Sequence, residues 1–120
     1  MSKFLVHIHT GPENPTKATL GCLVAVTALK AGHEVTLFLA GDGVHLLAAE
    51  HIDSVEGQGT GALRDHIPAI AEAGGRFVLS GMSAKARGYD ETLLDGLPAE
   101  FGMPDRLVNL ADEADTVLCY

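Results

Sequence analysis

The sequence predicts a doubly wound α/β domain, and three observations carry that prediction. Short, continuous apolar runs recur at residues 3–9, 34–40 and 76–79, with the length and all-round hydrophobicity of strands buried on both faces. Helix-forming segments separate them. Turn and capping residues mark the switches, notably Asn14-Pro15, Gly41-Asp42-Gly43 and Ser80-Gly81. Strands alternating with helices in this way build a mainly parallel sheet covered on both faces. A chain of 120 residues has room for one such domain with a true core, spanning 1–120.

The first strand, 3–9, reads Lys-Phe-Leu-Val-His-Ile-His. A loop follows, and Asn14 caps a helix that starts at Pro15 and stops at Gly32. This helix is apolar on most of its circumference, through Leu20, Cys22, Leu23, Val24, Ala25, Val26, Ala28 and Leu29. Such a helix is buried on more than one side, and the second side is expected to be another subunit. Residues 34–40 form the second strand, completing a βαβ unit with a right-handed crossover. After the Gly41-Asp42-Gly43 turn, a short helix is expected to run to about His51.

Gly57-Gln58-Gly59-Thr60-Gly61 has the look of a phosphate loop, but no strand precedes it, as the dinucleotide fingerprint requires. Thr60 reads instead as the cap of a helix over 61–73. Gly74-Gly75 ends that helix, and the third strand leads into Ser80-Gly81-Met82-Ser83, with Ser80 as cap of the helix that closes at Arg87-Gly88. Asp90 caps a short turn, 99–101 form a minor strand, Pro104 opens the last helix and 116–120 make the final strand.

Composition narrows the partners. The formal net charge of −8 argues against a nucleic-acid or anionic-membrane surface. No apolar stretch is long enough for a membrane span, and the N-terminus lacks a signal-peptide layout, so a cytoplasmic protein is expected. Cys22 and Cys119 make neither a disulfide framework nor a zinc motif, and no cofactor is implied.

Three places could carry chemistry. The strand ends gather His9, Thr10, Gly11, Asn14 and Lys17 after the first strand, Asp42 and Gly43 after the second, and Ser80, Gly81, Met82 and Ser83 after the third. Ligands of open α/β sheets bind outside the carboxyl ends of strands. Lys17, Lys85 and Arg87 either supply positive charge to an anion there or are solvated cations. Second, His7 and His9 lie two apart on a strand, so both rings point to one face; they are either packed histidines or two ligands of a metal, with Glu13, Asp42 or another histidine as a third. Third, Cys119 is either an edge-strand residue or an accessible redox thiol, whereas Cys22 is expected to be buried and inert. A serine hydrolase built on Ser80 and His9 is disfavoured, since the nucleophile-elbow motif is missing.

The order and spacing of three pieces, Thr10-Gly11-Pro12-Glu13-Asn14-Pro15-Thr16-Lys17-Ala18, then Gly32 to Leu39 with Asp42-Gly43-Val44, then Ser80 to Gly88, resemble the DsrE/DsrF-like family of small sulfur-relay proteins and their relatives. The resemblance covers nearly the whole chain. It implies a three-layer α/β/α domain with a mainly parallel five-stranded sheet, and a homo-oligomer, often a trimer or hexamer. In sulfur-carrying members a cysteine after the third strand bears a persulfide. That position looks like Ser80 here, and a second cysteine of some relatives would fall at Ser83. A thiol at a helix start becomes a nucleophilic thiolate; a hydroxyl stays protonated unless a base activates it. The resemblance therefore implies a retained scaffold that binds a small anion, a thiol compound or a relay partner, without transfer chemistry at Ser80. Sulfur transfer through Cys119 and metal binding through His7 and His9 are the alternatives.

Overall fold

The computed structural model describes residues 1–120. The elements run β1 (Lys3–Ile8), α1 (Pro15–Lys30), β2 (Glu34–Leu39), a 3₁₀ segment (Gly41–Leu47), α2 (Ala49–Ser54), α3 (Leu63–Glu72), β3 (Arg76–Ser80), α4 (Gly81–Ala86), a 3₁₀ turn (Glu91–Leu94), β4 (Ala99–Gly102), α5 (Pro104–Glu113) and β5 (Thr116–Cys119). The five strands pair in the order β4-β3-β2-β1-β5, and every pair is parallel.

That order decides the layers. From β1 to β4 the chain steps along the sheet in one direction; the last connection returns across it to lay β5 beside β1. The helices of the first three connections therefore share one face, and α5 lies on the other. The residues agree. Val6, Ile8, Leu37, Leu39, Phe77 and Leu79 join Ala18, Cys22, Ala25, Leu63, Ile67, Ile70 and Ala84 in the larger core. On the opposite face Leu5, Phe38 and Val78 meet Leu107, Leu110, Ala111 and Ala114 of α5. Strand alternation sends neighbouring side chains to opposite faces, so both layers are written into one strand sequence.

Asn14 caps α1 as the sequence predicts: its Oδ1 accepts the Lys17 N–H at 3.2 Å, with Pro15 at the first helical position. The second buried side of α1 is another helix of the same chain. α3 packs alongside it, and the Thr19 and Thr60 hydroxyls hydrogen-bond at 2.7 Å between the two segments. Leu20, 36 % exposed, stays on the outer flank.

Two local expectations are corrected. Thr60 does not cap α3, which starts at Leu63 after an uncapped Ala62. The glycine-rich loop is instead a closed turn: Gly57 N–H donates to Gly61 O at 2.7 Å, and the buried His66 ring nitrogen meets Thr60 O at 2.8 Å. The segment after β2 is not one short helix. It is a 3₁₀ run that breaks at Ala48, in extended conformation, before α2 begins. Two buried groups, Val44-Leu46-Leu47 and the partly buried Ile52, must face the same core, and one continuous helix cannot present them all inward.

Leu37→Ala, which empties a fully buried central-strand position, is expected to cost about 2–5 kcal/mol in urea unfolding. Val108→Ala, on the exposed side of α5, should stay within about 0.5 kcal/mol of the parent.

Candidate binding site at the strand ends

The carboxyl ends of β1 and β2 meet backbone to backbone. A Cβ at Gly11 would stand 2.1 Å from the Asp42 carbonyl oxygen, and one at Gly43 would stand 2.3 Å from that of Ile8. Only glycine allows this approach. Gly11 N–H donates to Glu13 Oε1 at 2.9 Å, so the loop after β1 folds onto itself and turns Glu13 toward Asp42.

Asp42 is the centre of a network that ties this corner to α4. Its Oδ1 accepts from Arg87 Nε at 3.2 Å and Nη2 at 3.0 Å. Arg87 Nη1 also donates to Ser83 O at 3.1 Å. Ser83 Oγ accepts the Gly41 N–H at 2.9 Å, and Ser80 Oγ accepts the Ser83 N–H at 3.1 Å. Both serine oxygens are therefore committed as acceptors of backbone N–H groups, and no histidine or carboxylate is hydrogen-bonded to either. A hydroxyl without a bonded base is a poor nucleophile.

β3 leads into α4 on one face, and β4 leads into α5 on the other. The two outgoing chains part between the carboxyl ends of β3 and β4, leaving an open crevice without the enclosure of a formed pocket. Ser80 is paired there with Gly102. A Cβ on Gly81 would lie 3.8 Å from the Phe101 Cβ and 4.0 Å from the Met103 sulfur. Met82, next to Gly81, and Met103, after β4, are 58 % and 52 % exposed. Met103 is a member of this crevice that the sequence did not suggest, because it depends on β4 lying beside β3.

A second hollow of about 280 Å³ opens over β1 and β2, lined by Pro12, Glu13, Asp42, His45 and His51. His45 Nδ1 and the Tyr89 hydroxyl share a 2.6 Å hydrogen bond, and the His45 and His51 rings meet edge-on with centroids 5.4 Å apart. Burial, aided by Glu50 and opposed by Arg87, raises the Tyr89 phenol above its ordinary value of 10.0. His45, His51 and Tyr89 also escaped the sequence reading. Six residues apart on one helix, the two histidines would point to different sides; the break at Ala48 brings them together.

The remaining predicted residues fall outside these hollows. Thr10 is buried. Asn14 is occupied by its capping bond, and the Lys17 side chain is exposed. His9 turns to the α5 face, where its ring meets that of His7 at 5.4 Å. Glu13 and Asp42, the carboxylates considered as a third metal ligand for that pair, line the polar hollow with His45 and His51 instead. No three His, Cys, Asp or Glu side chains converge as a formed metal site. Cys22 is fully buried, and burial pushes its thiol up to about 12, whereas Cys119 is exposed. No helix is long and apolar enough to cross a membrane.

A family model described as the DsrE/DsrF-like family matches residues 2–120. Among solved structures, the YchN protein from E. coli superposes with a TM-score of 0.76 at 16 % identity, covering 100 % of both chains. A conserved protein of unknown function from Bacteroides thetaiotaomicron superposes with a TM-score of 0.73 at 11 % identity, covering 99 % of this chain and 95 % of its own. No curated protein matches the chain. At such identities the superpositions establish the fold, a five-stranded parallel α/β sheet of the same architecture.

Thiol titration of the native protein at neutral pH should count one reactive group, lost in Cys119→Ser, and a second only after denaturation exposes Cys22. A pH dependence follows from His7. Burial first, and the neighbouring His9 second, lower its imidazole below the ordinary value of 6.5. The unfolded chain takes up this proton near that value, while the folded one waits until the pH is lower. Stability is therefore complete above pH 6.5 and falls as the pH drops toward the folded-state value. Urea midpoints across this range should show the loss, and His7→Gln should flatten it.

Proposed function

The chain belongs to the DsrE/DsrF-like family, and from that premise we propose that it is a non-catalytic member that holds a small ligand at the strand ends without bonding to it covalently. The observation that carries this reading is the state of the two serines. Ser80 and Ser83 stand where the sequence resemblance places the family's cysteines, and each spends its oxygen on a backbone N–H. Ser83 ties the turn after β2 to α4 and Ser80 caps that helix, structural tasks that need an acceptor but no nucleophile.

The ligand class follows from what lines the crevice. Met82 and Met103 offer polarizable, adaptable surface. Gly81 leaves room for close approach, and Lys85 is an exposed cation on α4. Arg87 is already neutralised by Asp42. A small thiol compound with an anionic group suits this combination: its sulfur and carbon atoms against the methionines, its charge toward lysine and solvent. The protein acts in the cytoplasm as a homo-oligomer, a reading supported by the acidic charge and by the exposed outer flank of α1 at Leu20. A second reading, sulfur carriage by Cys119, is favoured by that thiol's exposure alone.

Intact mass after incubation with a sulfane-sulfur donor separates the two. Cys119→Ser should gain no sulfur, and the wild type should catalyse no transfer to a thiol acceptor. Ser80→Cys, which places a thiol at the start of α4, should gain one reducible sulfur on that residue. Catalytic transfer by the wild type that vanishes in Cys119→Ser would replace the binding reading with the carrier.

A further inference from the structure

Away from the strand-end hollows, three side chains with metal-ligating atoms share the open corner of the α5 face. β1 and β5 pair so that His7 stands opposite Cys119. The ladder runs on past the strand, with Tyr120 N–H donating to His7 O at 2.8 Å and His9 N–H donating to Tyr120 O at 3.0 Å. Paired residues on parallel strands point to the same face, and so do residues two apart on one strand. His7, His9 and Cys119 thus project together, with neighbouring strands about 4.8 Å apart and His9 about 6.6 Å along from His7.

His7 carries an anomaly that the fold alone does not explain. Its Nε2 is buried and meets no hydrogen-bond partner. A buried polar atom left without a partner costs about 1–3 kcal/mol, and such an atom calls for a reason. One side of the ring leans on Phe38, whose ring centroid is 5.8 Å away, and another on His9. The His7 ring thus lies beside one exposed imidazole, and the residue is paired on the neighbouring strand with one exposed thiol.

We propose that His7, His9 and Cys119 form a binding site for one thiophilic d¹⁰ cation, Zn²⁺ or Cu⁺. Two imidazole nitrogens and a thiolate are the donors that borderline and soft ions select, and no carboxylate belongs to the set, so Mg²⁺ and Ca²⁺ are poor occupants. A d¹⁰ ion imposes little geometric preference of its own and accepts a three-donor shell with an open position. The donors do not converge in the present side-chain conformations. Closure needs rotation of His9 and Cys119, both on the open side, and a turn of the His7 ring that brings its buried Nε2 to the same point. The Cys119 thiol gives its proton to solvent as the sulfur–metal bond forms, so binding releases acid.

The test uses tag-free protein. Titration with Zn²⁺ by calorimetry should give one equivalent per chain, with proton release. Co²⁺ as a spectroscopic stand-in should show a sulfur-to-metal charge-transfer band. His9→Ala and Cys119→Ser alter exposed positions, and each should weaken Zn²⁺ binding by more than about tenfold; Cys119→Ser should also abolish the band. The control His45→Ala/His51→Ala should bind Zn²⁺ as the parent does. No stoichiometric binding, or undiminished binding in the His9→Ala/Cys119→Ser double variant, overturns the proposal. Loss of binding in the control places the metal in the strand-end hollow and overturns it equally.

Discussion

The backbone contact between the ends of β1 and β2 is the constraint on which the functional corner depends. Gly11 against Asp42 and Gly43 against Ile8 leave no space for a side chain. Asp42 then projects toward α4, takes Arg87, and through Arg87 and Ser83 fixes the start of α4 relative to Gly41. A side chain at either glycine would push the loops apart and loosen every later contact in that chain of hydrogen bonds.

In the proposed binding role, the same corner keeps the scaffold without the transfer chemistry. A cysteine at the start of α4 would draw reactivity from the unpaired N–H groups there. The serines of this chain use those groups as bonding partners instead. Arg87, the cation that faces this corner, is held by a carboxylate, and Lys85 is left exposed on α4. Under that role, shape and soft surface are what the corner contributes.

The sequence made the order and type of the elements legible because each strand carries its own apolar run and each helix its own punctuation. The DsrE/DsrF-like resemblance was legible for the same reason, through motifs that sit at those junctions. The site was legible only in its first layer. Ser80, Gly81, Asp42 and Gly43 announce themselves as turn residues after strands. His45 and His51 do not, because their meeting depends on one extended residue, Ala48, between two helical segments. Met103 and Cys119 gain their neighbours from strand pairing, β4 with β3 and β5 with β1, and pairing order is a property of the whole sheet. The apolar girth of α1 illustrates the converse: the pattern says that a second side is buried and leaves open what buries it.

The two faces of the sheet are unequally guarded. The larger core gathers most of the buried side chains, while α5 has no buried residue and β5 alternates between half-buried and exposed. Cooperative units open in order of the apolar contact that holds them, so the α5–β5 segment is the first to detach from an otherwise native sheet. Its amides are expected to exchange with solvent ahead of those of β1, β2 and β3. Each such opening uncovers the α5 side of β1 and leaves its outer edge ready to accept a new strand, making β5 a removable cover for the centre of the sheet.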